Sequence, residues 1–136
     1  MVFGGKRDLF CDELVKGLPE QRVINLRGKT SLAESAYWLS RCSVVVANDT
    51  GLMHLADALG VPTVVIFGPT SGELGCLPYH PLSVNLEPEL WCRPCSKNGE
   101  APCIRGKRLC LDRIQVEDVL GALKTFGRPE FGDTHG

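Results

Sequence analysis

A chain of 136 residues has the length of one domain, and with 43% hydrophobic and 23% charged residues it can bury a core, which excludes wholesale disorder. A formal charge of −1 argues against generic nucleic-acid binding, which needs a strongly basic surface. The longest apolar runs, Val44–Ala47 and Val61–Phe67, are too short to cross a bilayer and no leader pattern opens the chain, so the expected location is the cytoplasm.

Short β-branched runs alternate with helical patterns along the chain, the signature of a parallel sheet with crossover helices. Met1–Phe3 reads as a strand stub ended by Gly4-Gly5, and a start inside a strand suggests that preceding structure is absent. A helix follows over Asp8 to Lys16, stopped by Gly17, and Val23–Leu26 is the next strand. Ser31-Leu32-Ala33-Glu34 has the spacing of a capping box and opens a helix to Ser40. Ser43–Ala47 is a continuous apolar run, as expected of a central strand covered on both faces. Gly51–Leu59 carries Leu52, Leu55, Ala56 and Leu59 on one helical stripe, with Gly60 as its stop. Pro62–Phe67 is a buried strand, Gly68–Pro81 a Gly/Pro-rich loop and Ser83–Leu86 a short strand. A cysteine-rich loop fills 91–111, a last helix covers Val116–Phe126, and Gly127–Gly136 reads as a frayed tail. The expected fold is α/β: a Rossmann-like parallel sheet with helices on both faces, one domain over 1–126.

The most informative stretch is Asn48-Asp49-Thr50-Gly51-Leu52-Met53-His54, placed where a parallel strand ends and a helix begins. Ligands of open α/β sheets bind there, and the first turn of a helix offers unpaired N–H groups and the positive end of the helix dipole to an anion. Gly51 lets the backbone approach a phosphate, and the Thr50 hydroxyl can donate to the same oxygens. Asp49, itself an anion, suits an N-cap or an acceptor for a sugar hydroxyl, while His54 is placed one turn in, toward the anion. Taken alone, this spacing fits a plain N-cap followed by a core-facing histidine equally well. Gly68-Pro69-Thr70 and Lys29-Thr30-Ser31, each expected at the same sheet edge, favour a pocket over separate turns. No P-loop, Gly-x-Gly-x-x-Gly or Asp-x-Asp motif occurs, so backbone N–H groups and basic side chains are the expected counter-charges, with no catalytic cofactor.

The runs Asn48–Ala56, Ala58–Thr63 and Phe67–Thr70, with Gly4-Gly5 and Gly28–Leu32 in support, closely resemble the lipopolysaccharide heptosyltransferase family, glycosyltransferase family 9. The resemblance covers most of Val2–Leu123 and matches only the C-terminal, donor-binding half of a two-domain GT-B enzyme. It implies transfer of a heptose from ADP-heptose to the lipopolysaccharide core at the cytoplasmic face of the inner membrane. Carried over, Thr50 and Gly51 contact the diphosphate, Asp49 and His54 border the sugar and phosphate, Thr30 sits against the adenine, Leu52 belongs to the same ADP-sugar site, and Asp8 is the weaker candidate for the ribose. The family's aspartate base and acceptor site belong to its N-terminal domain, so no catalytic residue is expected in this chain and no turnover from it alone. A non-catalytic nucleotide-binding module is the alternative, and a zinc-bearing nucleic-acid binder a third, disfavoured by the near-neutral charge.

Seven cysteines leave at least one unpaired, and Cys11, Cys42 and Cys76 read as small buried hydrophobes. Cys92, Cys95, Cys103 and Cys110 are separated by two, seven and six residues. The first pair is half of a zinc knuckle, so a structural zinc and plain reduced thiols or disulfides both remain open. Arg93, Lys97, Arg105, Lys107, Arg108 and Arg113 make this loop basic, fitting a solvated face or a surface for lipid A phosphates and the inner membrane.

Overall fold

The computed structural model describes residues 1–72, 77–97 and 99–127, which pack as two compact units, Met1–Trp38 and Leu39 onward. The reading of 128–136 as a tail, and of Cys76 as a buried hydrophobe, lies outside the described residues.

In the first unit, α1 (Phe10–Val15), a 3-10 turn (Glu20–Arg22) and the start of α2 (Leu32–Leu39) surround a single parallel bridge between Val2 and Asn25. Val2 donates its N–H to the Ile24 carbonyl and Leu26 returns one to the Val2 carbonyl, both at 2.8 Å. The two strands expected here are thus reduced to one bridge. Side chains do much of the holding instead: Arg27 grips both carboxylate oxygens of Asp12 at 2.9 and 2.7 Å and the Lys6 carbonyl at 2.8 Å. That forked pairing holds the Asp12 carboxyl below its usual range. The capping box forms as expected, with the Ser31 N–H and hydroxyl both on Glu34 Oε2 and the Glu34 N–H on Ser31 Oγ at 3.3 Å.

The second unit is built on a parallel sheet in the order β1 (Val45–Asn48), β2 (Thr63–Ile66), β3 (Val84–Leu86). Such pairing requires crossovers, and α3 (Gly51–Ala58) supplies the first, packing on β1 and β2. A four-residue α4 (Leu109–Asp112) and α5 (Val116–Lys124) follow, the latter against β2 and β3. The strand with neighbours on both sides is β2 rather than β1. Thr63, Val64 and Val65 are fully buried, whereas burial along β1 alternates and Val46 is exposed. A run of four apolar residues fits an edge or a centre equally; neighbours decide, and only the fold supplies them.

Met53 of α3 closes on Val65, Phe67 and Ala47, one face of the sheet. This contact fixes the start of α3 against the ends of β1 and β2. The other end of α3 is tethered by Asp57, whose two carboxylate oxygens accept the N–H groups of Tyr79 and His80, each at 2.8 Å.

Candidate functional site

Between β1 and α3 the chain turns through Thr50, which is extended (φ −145°, ψ 164°) and takes the N-cap position. Its carbonyl accepts the N–H groups of Met53 and His54 at 3.1 and 3.2 Å, but its hydroxyl caps nothing. Among the described residues the N–H groups of Gly51 and Leu52 have no acceptor. A Cβ on Gly51 would meet nothing within 4 Å, so open space lies over the first turn. Neither backbone geometry nor packing demands glycine there. What its hydrogen preserves is room for something outside the chain.

Asp49 is not the N-cap, because α3 begins at Gly51 and the half-in residue is therefore Thr50. Its carboxylate, with 14% of the side chain exposed, lies 3.6 Å from His54 Nε2. His54 is 48% exposed and faces the cleft, not the core. Leu52 is half-buried and does not line the cleft.

This turn forms one wall of a cleft of about 420 Å³. Ile66, Gly68, Pro69 and Thr70, at the end of β2, form the second, as the motif order predicts. A third wall comes from residues that the sequence reading did not place at this cleft: Lys97, Gly99, Arg108 and Leu111, from the cysteine loop and α4. The loop is drawn there by Arg93, whose side chain is only 6% exposed. Its guanidinium donates to the carbonyls of Gly68 (2.7 Å), Pro88 (2.7 Å) and Thr70 (2.8 Å), and to Glu87 Oε2 (2.9 Å). Cys95 and Ser96 add N–H bonds to the Pro69 carbonyl at 3.1 and 3.3 Å. Every carbonyl of the Gly68-Pro69-Thr70 turn is thus held by the segment 93–96. From the other end, α4 seats Leu111 against Gly68 so closely that a Cβ there would lie 3.1 Å from Leu111 Cδ2.

The model of glycosyltransferase family 9 (heptosyltransferase) matches residues 1–103. The chain belongs to that family. Among its relatives, lipooligosaccharide heptosyltransferase 2 of Campylobacter jejuni is 29% identical over 134 residues, 95% of this chain and 41% of the relative. Lipopolysaccharide heptosyltransferase 2 of Salmonella typhimurium is 45% identical over 77 residues, 54% of this chain and 22% of the relative. A solved family 9 glycosyltransferase from Veillonella parvula superimposes with a TM-score of 0.67 at 29% identity, covering 91% of this chain and 35% of that one. The family 9 chain thus spans well under half the length of these relatives.

Two expected donor contacts of the family 9 chain, Thr30 and Asp8, belong to the first unit. There the Thr30 hydroxyl lies 2.8 Å from the Ser35 hydroxyl, and Asp8 Oδ2 accepts the Gly5 N–H at 2.6 Å. Each is engaged locally in stabilising a turn.

The structure does not gather the four loop cysteines around one point. Among the described residues no three of His, Cys, Asp or Glu gather as metal ligands. The Cys103 thiol donates to the Lys107 carbonyl at 3.1 Å, Cys110 is buried in α4, and all four are free thiols. The loop's cross-link is Arg93, which supplies through hydrogen bonds the anchoring that its sparse apolar content cannot. Arg93 is correspondingly not part of a solvated basic face, and Arg105 is stacked over Trp91 at 4.7 Å. No signal in the sequence sets Arg93 apart from the five other basic residues around it.

Proposed function

We propose that this chain is the donor-binding part of a family 9 glycosyltransferase, holding the diphosphate of a nucleotide-sugar at the start of α3. The observation that carries the reading is the open first turn: two unpaired N–H groups and a glycine with empty space above it, at the mouth of a cleft. Family membership supports an ADP-activated heptose as the donor and the lipopolysaccharide core as the acceptor, which meets residues other than those of this cleft. The chemistry is direct displacement at the anomeric carbon. A base removes the acceptor hydroxyl's proton, the sugar–phosphate bond breaks, and the N-terminus of α3 stabilises the charge on the departing diphosphate. Thr50 adds its free hydroxyl to the same oxygens. The Asp49 carboxylate accepts a sugar hydroxyl, and His54 lies between it and the phosphate. Work at the cytoplasmic face of the inner membrane suits this donor and acceptor. No helix among the described residues is long and apolar enough to cross a membrane.

Calorimetric titration with ADP tests the reading. The unchanged chain binds, and Gly51→Val reduces the affinity by at least about tenfold while the melting temperature moves little, because a Cβ there would have no neighbour within 4 Å. Unchanged affinity in a folded Gly51→Val chain would refute the phosphate assignment.

A further inference from the structure

The cysteine loop reaches the cleft with two cationic side chains, and among the described residues neither has a partner. Lys97 and Arg108 both line the cleft, both are exposed, and among the described residues neither forms an ion pair or a side-chain hydrogen bond. They are not loosely hung. Lys97 follows directly on Cys95 and Ser96, whose N–H groups are bound to the Pro69 carbonyl, and Arg108 is the N-cap residue of α4, which Leu111 seats against Gly68. Gly99, at φ +78°, turns the chain beside Pro69 between them. The carboxylate that lines the cleft, Asp49, is already beside His54.

Two like charges, brought from positions eleven residues apart to a cleft that also holds the positive end of a helix dipole, repel one another. An anion of charge two or more reverses the sign of that interaction. We infer that Lys97 and Arg108 are donor-binding residues that clasp the diphosphate of a nucleoside diphosphate held at the Gly51 turn. This rests on the phosphate reading of the α3 turn and extends the site into a segment that the reading did not use. Arg108 lies outside residues 1–103, the part matched by the family model. The arrangement also gives the cysteine loop a role in binding. It carries the counter-charges, and Arg93 holds it in place.

Calorimetry on the 136-residue chain with ADP and with adenosine, which lacks phosphate, at low and at high salt, tests the inference. Lys97→Ala and Arg108→Ala are each expected to weaken ADP about tenfold, a factor equivalent to about 1.4 kcal/mol, while adenosine binding is unchanged. Each substitution also flattens the salt dependence of ADP affinity, since a screened charge has been removed. Arg108→Lys recovers most of the loss, and Lys107→Ala, the same change of charge outside the cleft, causes none. ADP affinity within about twofold of the unchanged chain in both alanine variants would overturn the inference while leaving the α3 turn intact as the phosphate site. No ADP binding by the unchanged chain would overturn the phosphate reading itself, and the inference with it.

Discussion

Arg93 turns a loop into a wall. Removing its side chain strands three carbonyls and a carboxylate that now share one guanidinium with 6% exposure. Arg93→Ala is therefore expected to cost about 2–4 kcal/mol in denaturant unfolding, the range for breaking a buried charged network. Arg93→Lys recovers only a minor part, because an ammonium cannot present a planar fork to partners on several sides. A different residue pair governs acid sensitivity. The folded pKa of Asp12 is depressed by its bonds to Arg27, and that of Glu34 by the Ser31 N–H and hydroxyl. Both carboxylates thus add stability above their unfolded pKa, about 4, and lose it as pH falls through the lower folded value. Thermal melts from about pH 7 to about pH 3 should show a smaller acid-side decline in Asp12→Asn with Glu34→Gln than in the unchanged chain, each compared with its own value at neutral pH. The capping carboxylate was legible from a four-residue spacing. Asp12–Arg27 was not, since nothing local announces a partner fifteen residues away.

Helix starts were legible wherever the signal is local. The Ser31–Glu34 box and the glycine at the head of α3 each placed a first turn within a residue or two, because capping is settled by neighbours in sequence. The α4 turn was missed: four residues carry no period, and its place comes from Leu111 meeting Gly68. Gly68 is expected at the sheet edge beside the Gly51 turn, and the close approach it permits there is to a protein side chain. Gly68→Ala is accordingly expected to destabilise by about 1–3 kcal/mol, as overpacking does. Combining it with Leu111→Ala should give a loss smaller than the sum of the two single losses, since the shorter side chain makes room. A double-mutant cycle in urea measures this. Additive losses would place the strain elsewhere. For the cleft, two of three walls were legible because strand ends and helix starts are coded in place. The third depends on hydrogen bonds spanning 23 and 25 residues, to which periodicity is blind.

Across the molecule, the two units differ in how much backbone they bury. Between Met1 and Trp38 the buried residues are Cys11, Leu26 and Ser35, and the strand pairing is one bridge. In the unit from Leu39 onward, β2 has a strand on each side, with Val64, Val65 and Phe67 at zero exposure. Native-state hydrogen exchange should therefore release the Val2 and Leu26 amides at least about tenfold faster than those of β2, as expected of a region with fewer buried contacts. Equal protection would mean that the whole chain opens as one.

The Arg93 clasp also divides the chain into a part that makes the sheet and a later part that shapes the turn. Among the described residues every strand lies N-terminal to it, so a chain that ends before residue 93 keeps the residues of the sheet and lacks the clasp. In such a chain the carbonyls of Gly68, Pro69 and Thr70 are without the donors that Arg93, Cys95 and Ser96 supply. A chain stopped just after Leu86 would hold the sheet's residues and none of the groups that shape the turn, and one stopped after Ser96 would gain the clasp but not Arg108 or Leu111. Chains of those two lengths, titrated with ADP, would separate the residues that give this molecule its architecture from those that give it a grip.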